Sequence, residues 1–121
     1  KIFFTTSYST NAVNPPLPIS GDPNDVCTET FLVIGPFNKK EERTDCLKYI
    51  DTKCFKFLLY CGRGTMQVSQ DVFRFVPLQD FTSNSDIDWS VSIPEIDEQL
   101  YHKYGLSDDE ISFIEKMIKP M

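Results

Sequence analysis

The sequence has little of several residue types that mark chemistry or location. It holds one histidine, one tryptophan and five glycines. No apolar run approaches the ~18 residues of a membrane span, so no membrane partner is expected. The longest run, Phe57-Leu58-Leu59-Tyr60-Cys61, has the length of a core segment. No secretory leader pattern opens the chain. It begins Lys1-Ile2-Phe3-Phe4 without Met, which suggests a piece of a longer protein. With His102 as the single histidine, a Cys–His nucleophile has one base to draw on, and that base sits in the polar stretch Gln99–Lys103. Cys27, Cys46, Cys54 and Cys61 show no Cys-x-x-Cys spacing, so no zinc site is expected. Two disulfides are conceivable, but nothing points to secretion. Reduced, buried thiols and a cytoplasmic location are the expectation. Internal repeats and low-complexity tracts are absent as well.

What is present supports a folded domain. Hydrophobic residues make up 40% of the 121, including ten Phe and five Tyr, enough for a modest core. The net charge is −6, from 12 basic and 18 acidic residues, which argues against phosphate binding at first sight. The charge is uneven, however. Through residue 75 nine basic residues face eight acidic ones, whereas residues 76–121 hold three lysines against ten carboxylates. Residues 39–74 carry eight cations against five anions, a mildly basic middle.

Residue patterning predicts an α+β fold: a small mixed sheet with one or two packed helices, then a C-terminal helical hairpin. Ile2–Thr6 reads as a strand. Residues 7–25, with Pro15, Pro16, Pro18 and Pro23, read as a long loop without regular structure. Thr28–Ile34 reads as a central strand buried on both sides. Asn38 is placed to cap a helix, with Glu41 completing a capping box. Cys46, Leu47, Ile50, Cys54, Phe57, Leu58 and Cys61 trace a helical face, with Asp51-Thr52 as a candidate break into two helices. Gly62–Thr65 reads as a turn and Val72–Val76 as a strand. Phe81–Trp89 is irregular, Glu95–Lys103 is helical, Gly105 stops it, and Ser107 with Glu110 forms a second capping box. Ile111, Ile114 and Ile118 make the apolar face of the last helix. Residues 1–93 are expected to form the α/β part, and residues 94–121 an acidic hairpin packed on it.

Asn14-Pro15-Pro16-Leu17 is close to the Asn-Pro-Pro-aromatic tetrapeptide with which adenine-specific DNA methyltransferases hold a flipped base. Leu17 removes the stacking ring, and no Gly-rich cofactor turn precedes Asn14. The tetrapeptide is read as a proline loop, and no catalytic residues are assigned.

Three ordered blocks carry a family resemblance. They are Val26–Phe37, Phe73–Phe81 and Ile96–Leu106, joined by the closing Glu110–Met121. Together they resemble the C-terminal region of adenine-specific DNA methyltransferases from bacterial restriction-modification systems, including enzymes that carry methylase and type II restriction activity in one chain. The resemblance implies a noncatalytic target-recognition domain, with the S-adenosylmethionine site in a methyltransferase core elsewhere in the parent chain. The fragment itself would need no cofactor. Its implied partners are double-stranded DNA and that core. An interdomain docking role without base readout is the other reading, with Ile111, Ile114 and Ile118 supplying the contact.

The residues themselves name the DNA contacts. Lys53 and Lys56 are expected on the polar side of their helix, reaching phosphate. Arg63, Thr65, Gln67 and Ser69 follow Gly62, where glycines allow close backbone approach, with Arg63 and Gln67 as base readers. Arg74 faces away from Phe73 and Phe75, toward either DNA or an ion pair. Tyr8, Ser9, Thr10 and Asn11 are a second candidate. With so few cations the fragment should bind DNA weakly on its own.

Overall fold

The computed structural model describes residues 1–5, 18–22, 24–26, 31–35, 37–62, 76–77 and 79–118. Within them the chain is α+β. A three-stranded antiparallel sheet is built from β1 (Ile2–Thr5), β2 (Ile19–Ser20) and β3 (Phe31–Ile34). Four helices follow: α1 (Lys40–Ile50), α2 (Lys53–Gly62), α3 (Ile93–Lys103) and α4 (Asp108–Met117).

The strand order is β2-β1-β3, so β1 is central. Alternation along β1 divides the sheet into two faces. Ile2 and Phe4 are fully buried against the helices, opposite Ile34 and Leu32 of β3. Phe3 points the other way, in register with Ile19 and Val33. Gly21 leaves room for the Phe3 ring, because a Cβ there would lie 2.4 Å from it. Three expectations change. The described strands pair antiparallel rather than as a mixed sheet. Phe31–Ile34 lies at a sheet edge among the described strands, with Val33 half exposed, because the fully apolar Ile2-Phe3-Phe4 takes the middle. Ile19–Ser20, inside the span read as loop, pairs with β1 because the prolines leave those two amides free.

The break at Asp51-Thr52 divides the helical stretch in two. Thr52 is fully buried, and its hydroxyl donates to the Tyr49 carbonyl and accepts the Phe55 N–H. One side chain thereby ends α1 and caps α2. The proposed Asn38 cap is not formed. Lys39 occupies the N-cap position, and the Asn38 N–H instead donates to Glu42. A β-region backbone at Lys39 starts the helix one residue later than a capping box on Asn38 requires.

The irregular segment Gln79–Ser92 folds by turn chemistry. The Asp80 and Asp88 carboxylates accept from Thr82 and Ser90, two residues on. Gln99 of α3 clamps both the N–H and the carbonyl of Asp88. These turns bury Ile87 and Trp89. Trp89 packs edge-on against Tyr49 and at a tilt against Phe81, and its ring N–H donates to the Asp80 carbonyl and Ser85 hydroxyl. Pro94 falls in the first turn of α3, which starts at Ile93, where a missing N–H costs nothing. Gly105, at φ +63°, turns the chain, and the Ser107–Glu110 capping box forms in both directions.

One core joins these parts: Ile2 and Phe4 from β1, Tyr49 and Ile50 from α1, Phe55 and Leu59 from α2, Ile96 and Leu100 from α3, Ile114 and Ile118. Ile114 and Ile118 are therefore committed inside the molecule and are not a free docking face. Cys46 and Cys54 are buried, and burial pushes both thiols up to about 12. Cys61, expected on the same apolar face, is exposed at the end of α2. Cys27, residues 7–17 and the predicted strand at 72–75 lie outside the described residues.

Candidate nucleic-acid interface

Two of the seven proposed DNA contacts, Lys53 and Lys56, fall on α2 within the described residues. Arg63, Thr65, Gln67, Ser69 and Arg74 lie outside them. Helix α2 is surrounded by α1, α3 and α4, so it has no broad polar side. Its composition carries that signal, because Cys54, Phe55, Phe57, Leu58, Leu59 and Tyr60 surround its axis rather than form a stripe.

Lys56 is 5% exposed, not on a polar surface. Its Nζ donates to Asp51 Oδ1 at 3.0 Å, while the apolar stem lies within the helix packing. Lys53 is partly covered and pairs with Glu115 of α4. Its backbone N–H also donates to Asp97 Oδ2 at 3.0 Å, and the next N–H, of Cys54, to Asp97 Oδ1 at 2.9 Å. Asp97 therefore caps α2 from α3, although it is 2% exposed. Burial lifts its carboxyl above the usual range, with the two N–H donors pulling the other way. Tyr101 donates to the second Glu115 oxygen at 3.0 Å, and burial raises its hydroxyl too. Lys53, Asp97, Tyr101 and Glu115 thus tie three helices together. The sequence reading missed this node, whose one linear signal is a carboxylate at Asp97 between Ile96 and Leu100, on the apolar side of α3.

Most other cations are likewise engaged. Arg43 Nη1 donates to the Gly21 carbonyl and lies 3.8 Å from Asp22. Lys48 donates to the Trp89 carbonyl at 2.7 Å. Lys103 reaches Asp86 and Gln79. Lys1 holds the Gly21 and Asp25 carbonyls. Among the described residues, only the side chains of Lys39, Lys40 and Lys116 are cations without such a partner. The broad hollow of about 1050 Å³ between α1 and the Phe81–Ser90 turns carries Glu41, Glu42, Asp45, Asp86 and Asp88 against Lys39 and Lys48, so carboxylates outnumber cations and the surface is unfavourable to phosphate. No group of three or more His, Cys, Asp and Glu side chains suited to a metal ion occurs among the described residues.

No family model matches the chain, and neither a curated protein nor a solved structure is found to be similar to it.

Proposed function

We propose that this chain is a noncatalytic DNA target-recognition module of a restriction-modification adenine-specific DNA methyltransferase. The helices act as scaffold, and the span between Gly62 and Val76 acts as the reading element. The observation that carries this division is the internal engagement of Lys53 and Lys56. Paired cations inside a helical bundle do not release counterions from DNA, so phosphate and base contact falls to Arg63, Thr65, Gln67, Ser69 and Arg74. The resemblance blocks support the reading: within the described residues they fall on β3, the turn at Asp80-Phe81 and α3, all scaffold, while Phe73–Phe75 of the second block belongs to the reading element. S-adenosylmethionine and methyl transfer belong to the parent enzyme, which is a cytoplasmic protein on this reading and in some family members also cuts DNA.

The same engagement of cations favours a second reading, an interdomain docking module without base readout. DNA binding by the parent enzyme separates the two. On the first reading Arg63→Ala and Gln67→Ala weaken binding by about tenfold each and relax site choice. Lys56→Met leaves both unchanged. Unaltered affinity and site choice in the Arg63 and Gln67 variants favour docking.

A further inference from the structure

An apolar groove of about 500 Å³ runs between α2 and α4. Leu58 of α2 and Ile114 of α4 line it. Phe57 and Phe113 meet edge to face at 5.8 Å beside it, and Tyr104 and Leu106 also line it. Phe113 is 56% exposed and Tyr104 37%, unusual for rings beside a packed core. The polar rim is anionic. Asp109 and Glu110 line the groove in the first turn of α4, and no Lys, Arg or His does so.

We propose that this groove is a docking site for an amphipathic cationic segment of a protein partner. Two or three apolar side chains on one face would fill it, with Lys or Arg beside Asp109. Charge complementarity selects the occupant. Glu110 is already held in its capping box, whereas Asp109 has no partner among the described residues. An acidic rim next to exposed rings disfavours an anionic or nucleic-acid ligand and steers a cationic one. The exposed Phe113 ring at the groove offers an apolar contact of the kind a helix laid across it would use. This inference rests on the groove alone and is independent of the DNA reading.

The test uses the full 121-residue chain and a fluorescent synthetic helix with Leu on one face flanked by Lys. Binding is followed by anisotropy, with two control peptides, one with Glu for Lys and one with Ser for Leu. The Leu/Lys peptide is expected to bind and both controls to bind at least about tenfold more weakly. Phe113→Asp should lower affinity by about tenfold or more. Asp109→Lys, an exposed change away from the core, should lower it by about threefold to tenfold and flatten the salt dependence. Circular dichroism checks that each variant folds, and the Asp109 variant decides the matter if the Phe113 variant does not. Absent binding, equal binding of the Glu peptide, or affinity indifferent to Asp109→Lys would overturn the proposal. So would concentration-dependent dimerisation abolished by Phe113→Asp, which assigns the groove to a second copy of the chain.

Discussion

Asp97, on α3, accepts the N–H of Cys54, the second residue of α2, at 2.9 Å. The two lie 43 positions apart, so a helix start that Thr52 caps locally through the Phe55 N–H is capped a second time from another helix. Asp97→Ala leaves the Lys53 and Cys54 amides buried without an acceptor. A loss of about 2–4 kcal/mol is expected, against about 1 kcal/mol for Asp97→Asn, which keeps one oxygen. Urea unfolding followed by Trp89 fluorescence measures both. Equal, small losses would show that the cap carries no stability.

Lys56 and Asp51 form a pair with one partner buried and the other half exposed. Lys56→Met replaces a buried charge by an isosteric apolar chain and is expected to be neutral or stabilising, within about 1 kcal/mol. Asp51→Asn strands the buried ammonium and should cost about 1–3 kcal/mol, below a fully buried pair because water screens Asp51. Thermal melts of the two variants should shift in opposite directions or differ clearly in size.

The pH dependence has two opposing parts. Hydrogen bonds from Thr82, Ser90 and Ser107 hold the Asp80, Asp88 and Glu110 carboxyls below their ordinary values of 3.8 and 4.5. Their contribution is present above those values and is lost as pH falls through the folded values. Asp97 is raised by burial, so its contribution is greatest at low pH and declines as pH rises through its folded value. Melting temperatures between pH 7 and pH 3 should fall on acidification. Glu110→Gln should flatten that fall, and Asp97→Asn should steepen it. A parallel profile for all three proteins would contradict the assignment.

Thiol reactivity reads the packing of α2 directly. In a Cys27→Ser background, an uncharged maleimide at pH 8 should modify Cys61 first in the native chain, slowed somewhat because partial burial pushes its thiol up as well. Cys46 and Cys54, buried with thiols near 12, should react only on unfolding. Mass spectrometry after proteolysis identifies the labelled site. Equal labelling of Cys54 would mean that α2 is not the central helix.

Periodicity and local chemistry made much of this fold legible. The Ser107–Glu110 box, the Gly105 stop and the break at Asp51-Thr52 are written in adjacent residues, and all three form. Long-range partners are not written there. Nothing near Asn38 announces that Lys39 takes its place, and nothing near Lys53 names Asp97 and Glu115 as its partners. The reading of Lys53 and Lys56 as surface cations followed from treating α2 as an amphipathic surface helix. Its apolar residues are distributed all round, which is the pattern of an enclosed one. The α2–α4 groove needs Phe57 and Phe113 side by side, a pairing that linear spacing cannot supply.

The node of Lys53, Asp97, Tyr101 and Glu115 also bears on the order in which the chain matures. During synthesis α2 emerges from the ribosome before Asp97 and Glu115 do. At about 5–20 residues per second, its first amides wait roughly 2–9 s for their cap. Through that interval its apolar circumference has no α3 or α4 to cover it. The nascent chain is therefore most vulnerable to aggregation or chaperone capture between the emergence of residue 62 and that of residue 115, and a stop codon between residue 62 and Asp97 yields a helix without its α3 cap and without the cover of α4.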